Sequence, residues 1–97
     1  MSEALTIRHD LEGHQFETIV DGHRAYLAYM DLGKRTLDIY RTFVPNELRG
    51  RGIAAALAQQ ALDYAEREGY TVIPSCSYVE RYLQRNGQDE SGTQMDE

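Results

Sequence analysis

Ninety-seven residues with 41% hydrophobic content suffice for one small domain with a single core, and exclude a disordered chain. A formal net charge of −6 argues against the basic face that nonspecific nucleic-acid binding needs and favours a cationic substrate or partner, while a single cysteine, Cys76, excludes an intrachain disulfide. No apolar run approaches the roughly 18 residues of a membrane span, and Met1-Ser2-Glu3-Ala4 lacks the basic and apolar regions of a signal peptide. A soluble cytoplasmic protein without a nucleic-acid or membrane partner is therefore expected.

In chain order, Leu5 to about Asp10 reads as a short strand and Gly13-His14 as a turn. Gln15 to Val20 forms the next strand and ends at the hairpin signal Asp21-Gly22. His23 to Asp31 is a third strand, with apolar residues on both faces, followed by a turn at Gly33-Lys34. Arg35 to Val44 is a fourth, and strict alternation puts Leu37, Ile39, Arg41 and Phe43 on one face and Thr36, Asp38, Tyr40 and Thr42 on the other. These strands form an antiparallel meander.

A long helix is predicted from Leu48 or Arg49 to Glu68, with Ile53, Ala56, Leu57, Gln60, Ala61, Tyr64 and Ala65 on one stripe. Its alanines keep it slim enough to lie close to a sheet, and Gly69 is suited to cap its end. Tyr70 to Ile73 is a short strand stopped by Pro74, and a second helix runs from Ser75 or Ser77 to Arg85 with Val79, Tyr82 and Leu83 facing inward. A right-handed crossover through the long helix makes the Val44 and Val72 strands parallel. The fold class is α+β, built as meander, long helix, parallel-paired strand and short C-terminal helix. The domain occupies residues 1–86, and residues 87–97 read as a disordered acidic tail.

The most informative stretch is Val44-Pro45-Asn46-Glu47-Leu48-Arg49-Gly50-Arg51-Gly52-Ile53-Ala54, a strand end, a glycine turn and a helix N-terminus. Free N–H groups and the helix dipole attract anions there, the glycines admit a phosphate close to the backbone, and Arg49 and Arg51 add donors of matching geometry. A pyrophosphate-bearing ligand fits these features; so does an ordinary tight turn before a helix. The segment is neither a P-loop nor a dinucleotide fingerprint. Pro74 to Tyr78 also follows a strand's carboxyl end, so both segments can line one site. His9, His14 and His23 lack metal-ligand spacing, and no metal site is expected.

Arg49-Gly50-Arg51-Gly52-Ile53-Ala54 resembles the acyl-CoA signature of the GNAT N-acetyltransferase superfamily, Gln/Arg-x-x-Gly-x-Gly/Ala. With Val44-Pro45 before it and Ile73-Pro74-Ser75-Cys76-Ser77-Tyr78 after the helix, roughly Phe16 to Asn86 is similar to a small, single-domain bacterial branch of that superfamily. The resemblance implies a three-layer GNAT-like architecture and acetyl-CoA as cosubstrate. Phe43 and Val44 at the strand end would face the pantetheine, and Arg49, Gly50, Arg51, Gly52, Ile53 and Ala54 would hold the pyrophosphate. The thioester would point toward Cys76. A typical GNAT is about half again as long, and its usual N-terminal helices and final strands have no counterpart in this chain.

Cys76, beyond a strand end and near a helix N-terminus, is placed to form a thiolate that accepts and passes on an acetyl group, or to be an inert buried residue. Tyr78 and Tyr82, four apart, share a helical face; either is a candidate acid for the leaving thiolate, or a packing residue. Glu47 is a candidate base or a dipole-favouring residue, and Asp38 and Thr42 are further candidates. The resulting reading is an acetyl-CoA-dependent N-acetyltransferase acting on an amine, either a protein lysine or a small cationic molecule. The alternative is a non-catalytic acyl-CoA-binding module. Edge strands of a small meander leave room for a homodimer.

Overall fold

A computed structural model describes residues 5–85 of the chain. Five strands form one sheet in sequence order: β1 (Arg8–Asp10), β2 (Gln15–Val20), β3 (His23–Gly33), β4 (Thr36–Phe43) and β5 (Thr71–Pro74). Strands β1 to β4 pair antiparallel, and β5 pairs parallel to β4, as the crossover rule requires. The turns expected at Asp21-Gly22 and Gly33-Lys34 both form, each with positive φ. The expected tail at 87–97 lies outside the described residues.

The crossover is α1 (Ile53–Glu68), followed after β5 by α2 (Ser77–Arg85). Helix α1 begins later than the sequence suggests. Asn46–Leu48 forms one turn of 3-10 helix that buries Leu48, and the chain then passes through Gly50 at φ 82 and Gly52 at φ 76 before α1 starts. Left-handed backbone at those two positions breaks the continuity between Leu48 and Ile53. Gly69, also left-handed, ends the helix and donates its N–H to the carbonyls of Ala65 and Glu66.

Helix α1 buries Ile53, Leu57, Ala58, Ala61 and Ala65, whereas Gln60 is exposed. The buried stripe therefore includes Ala58 and passes Gln60 by. These residues join Phe16, Ala25, Leu27, Leu37 and Ile39 of the sheet and Val79 and Tyr82 of α2 in one core. Both helices cover the same sheet face, so the described residues build two of the three layers that the GNAT frame implies. The other face carries exposed apolar side chains, among them Ile19, Met30, Phe43 and Ile73.

Strand β4 departs from strict alternation. Ala28 pairs with Arg41 and Tyr29 with Ile39, which leaves Tyr40 as the extra residue of a β-bulge. Before the bulge, Leu37 and Ile39 face the helices; after it the inward position falls to Thr42 rather than to Arg41 or Phe43. Arg41 and Phe43 instead turn outward with Tyr26: the Arg41 Nε donates to the Tyr26 hydroxyl at 2.7 Å, and the Phe43 and Tyr26 ring centroids are 5.7 Å apart. This one-residue insertion shapes the site below.

Candidate acyl-carrier site

Strand β5 stops at Pro74, opposite Ile39, whereas β4 continues to Phe43. The last residues of β4 consequently have no strand partner on that side. A cleft of about 340 Å³ opens there. Its walls are Thr42, Val44 and Leu48 from β4 and the turn, Arg49, Gly50 and Gly52 from the glycine segment, Ile53, Ala54 and Ala55 from the first turn of α1, and Tyr78 from α2.

Gly52 is the N-cap of α1 and has no side chain to offer the helix. The first backbone bond into the helix runs from the Ala56 N–H to the Gly52 carbonyl at 3.0 Å. The N–H groups of Ile53, Ala54 and Ala55 are thus left without intrahelical acceptors. A Cβ built on Gly50 or Gly52 would meet no atom within 4 Å, so the space beside both is open. Amide donors, a positive helix end and this open backbone together fit a phosphate group. Arg49 is exposed, and its side chain makes no hydrogen bond or ion pair among the described residues, so its guanidinium is available to the cleft.

Six of the expected carrier-binding residues, Val44, Arg49, Gly50, Gly52, Ile53 and Ala54, line the cleft, and Phe43 and Arg51 do not. The bulge takes Phe43 to the outer face. Arg51 turns to the β2–β3 hairpin, where its Nη1 lies 3.1 Å from the Asp21 carboxylate. Glu47 also faces the hairpin, with its Oε1 3.9 Å from His23 Nδ1, which removes it as a base within the cleft. Sequence reasoning missed two wall residues. Leu48 is hidden in the 3-10 turn, and Ala55 is identifiable only once the helix start is fixed at Ile53.

Cys76 lies at the mouth of α2. Its N–H donates to the Ile39 carbonyl at 2.9 Å and its carbonyl accepts from Glu80 N–H at 3.0 Å. The Sγ atom is 3.6 Å from the hydroxyl of Thr42, a wall residue of the cleft. Burial pushes the thiol pKa up, but the Thr42 hydroxyl and the backbone N–H groups of Val79 and Tyr78 outweigh it, and the net shift is downward. The α2 N-terminus thus favours the thiolate at a point adjoining the cleft.

The two tyrosines separate. Tyr78 reaches the cleft, whereas Tyr82 is buried against α1 and donates its hydroxyl to Gln59 Oε1 at 2.6 Å. Burial, with Tyr78 and Asp63 nearby, raises the Tyr82 pKa. Tyr82 is a core residue that ties α2 to α1, which corrects its candidacy as the acid. His9 likewise packs inward: its ring stacks on Phe16 with centroids 4.0 Å apart, and its Nε2 is 2.7 Å from the Tyr29 hydroxyl. Among the described residues no group of His, Cys, Asp and Glu is arranged to hold a metal ion, and no helix is long and apolar enough to cross a membrane.

A mixed sheet with β4 and β5 parting around a helix N-terminus is the architecture of a GNAT-like domain. Residues 15–91 match the family described as GCN5-related N-acetyl-transferase, and the chain belongs to that family. It is 37% identical over 87 residues to protein NATD1 of Xenopus tropicalis, covering 88% of this chain and 80% of that one. It is 38% identical over 84 residues to human NATD1, covering 84% and 74%. The fold is shared with a GCN5-like protein of Staphylococcus aureus (TM-score 0.69, 23% identity, 89% of this chain and 84% of that one). It is also shared with a ribosomal-protein-alanine N-acetyltransferase from Brucella melitensis (TM-score 0.56, 22% identity, 82% and 64%). These sequence relatives are vertebrate, so they give no support to the bacterial branch suggested by the motifs.

Proposed function

We propose that the protein is an acetyl-CoA-dependent N-acetyltransferase that moves an acetyl group to an amine through Cys76. The observation that carries this reading is a cleft whose helix N-terminus offers free amide donors and whose wall residue Thr42 lies 3.6 Å from the Cys76 thiol. Acetyl-CoA supplies the activated thioester. The N–H groups of Ile53, Ala54 and Ala55 would hold its pyrophosphate, with Arg49 adding charge, and the unpaired end of β4 at Val44 would offer backbone groups to the pantetheine.

The transfer balances in two steps. The Cys76 thiolate attacks the thioester carbonyl carbon; the bond from that carbon to the carrier sulfur breaks, and Tyr78, a wall residue of the cleft, protonates the departing thiolate. A neutral amine then attacks the acetyl carbon on Cys76. The C–Sγ bond breaks, the thiolate re-forms within reach of the Thr42 hydroxyl, and the amine proton returns to the Tyr78 phenolate.

Mixing the protein with acetyl-CoA and recording intact mass tests this chemistry. The expected result is one acetyl group on Cys76, discharged on adding an amine as free CoA accumulates, and neither event in Cys76→Ala. Equal turnover in Cys76→Ala would remove Cys76 from the mechanism. Binding without CoA release for any amine would instead support a non-catalytic acyl-CoA-binding module.

A further inference from the structure

We propose that a second groove, between α1 and α2, docks a partner protein that presents a basic amphipathic helix. This inference is independent of the acetyltransferase reading.

The groove measures about 290 Å³ and shares no wall residue with the carrier cleft. Helix α1 contributes Gln59, Leu62, Asp63 and Glu66 to it. Their spacing is i, i+3, i+4 and i+7, so they form one stripe about 10 Å long. Leu83 of α2 and Val72 of β5 complete the apolar part of the wall. Leu62, Val72 and Leu83 pack against the core yet are only partly buried, so the apolar floor is open to an added side chain.

The charge around this floor has one sign. Asp63 and Glu66 are exposed, and no Lys, Arg or His lines the groove. Gln59 donates its side-chain amide to Asp63 Oδ1 at 2.9 Å, and neither carboxylate has an ion pair among the described residues. Their placement also runs against the helix. Glu66 lies in the last turn of α1, where the macrodipole is negative and cations stabilise, whereas the first turn carries no acid. Arg67, the cation of that last turn, is not a wall residue. Arg35 is engaged at the helix end, where it donates to the Glu68 carbonyl at 2.7 Å and lies 5.9 Å from the centre of the Tyr70 ring.

An apolar floor, a carboxylate rim and a negative helix end are complemented by a helix with leucine anchors flanked by lysine or arginine. The anchors lie along Leu62 and Leu83, and the cations meet Asp63 and Glu66. The chain's net charge of −6 favours the approach of such a partner. The carrier cleft opens at the first turn of α1, so the docked partner leaves it accessible.

The test is an amide NMR titration of the full chain, without acetyl-CoA, using a synthetic helical peptide of leucine and lysine with leucines at i, i+3, i+4 and i+7. Saturable shifts are expected at Leu62, Asp63, Glu66, Tyr70 and Leu83, and none with the leucine–glutamate counterpart. Asp63→Lys combined with Glu66→Lys changes two exposed positions. It should weaken binding of the lysine peptide at least about tenfold and admit the glutamate peptide instead. Glu66→Lys alone, which keeps the Gln59–Asp63 bond, should show part of the same loss, and circular dichroism checks the fold of each variant. Absent shifts, shifts centred outside the groove, or binding indifferent to the charge reversal would overturn the proposal. Shifts at these residues on raising the protein concentration alone would place a second copy in the groove and overturn it too. No carrier is added, so the outcome is separate from the fate of the transferase reading.

Discussion

Replacing Thr42 with valine keeps the side-chain shape and removes a hydroxyl 3.6 Å from Cys76 Sγ. The thiol pKa lies below its ordinary value because the hydroxyl of Thr42 and the N–H groups of Val79 and Tyr78 together outweigh burial. A hydrogen bond of this kind is worth about 0.5–1.5 kcal/mol, and one pKa unit corresponds to about 1.4 kcal/mol. Thr42→Val should therefore raise the Cys76 pKa. At a pH below both pKa values, loss of that bond lowers the thiolate fraction by a factor of about 2–13, and the rate of iodoacetamide alkylation follows it. The assay is the pH profile of alkylation for wild type and variant, with near-identical circular dichroism as the control for folding. The sign is fixed, since losing a donor to the anion favours the protonated thiol. An unchanged profile would show that Thr42 does not stabilise the thiolate. A lowered pKa would show that the Thr42 hydroxyl accepts from the neutral thiol rather than donating to the thiolate.

Tyr82→Phe should cost about 1 kcal/mol of stability through loss of the bond to Gln59, and leave turnover unchanged; denaturant melts and a turnover assay check both halves. Leu57→Ala, at a fully buried position on α1, should cost about 2–5 kcal/mol, read from the same melts. His9 is expected to make stability fall on acidification. Burial lowers its folded pKa below the unfolded value, so the unfolded chain binds the proton more readily as pH drops below about 6.5. His9→Gln should flatten the Tm profile between pH 7 and the folded pKa of His9.

Much of the fold is legible in the sequence because its turns carry distinctive chemistry. Asp21-Gly22 and Gly33-Lys34 take positive φ, Gly69 caps α1, and the crossover sets β5 parallel to β4. The glycine turn before α1 is legible for the same reason, since Gly50 and Gly52 occupy left-handed backbone that other residues adopt at a cost. What alternation could not reveal is the bulge at Tyr40. It places Phe43 outside and Thr42 inside, and a period-two pattern has no marker for one inserted residue. Arg51 turns away from the cleft for a different reason. Its partner Asp21 lies 30 residues away, and only the folded hairpin brings them together. The spacing of Tyr78 and Tyr82 correctly puts both on one helix, yet it cannot say that one reaches the cleft and the other Gln59.

The central claim is that the segment from Val44 to Ala55 holds the phosphates of an acyl carrier, and isothermal titration of acetyl-CoA into the full chain tests it most directly. Saturable binding is expected in wild type, weakened in Arg49→Ala and lost in Gly52→Glu, which puts a carboxylate into the open space of the cradle. Gly52 sits at φ 76, so the folded state of Gly52→Glu is verified alongside, and Arg49→Ala stands as the variant without backbone strain. No binding by folded wild-type protein, or equal affinity in all three, would contradict the account.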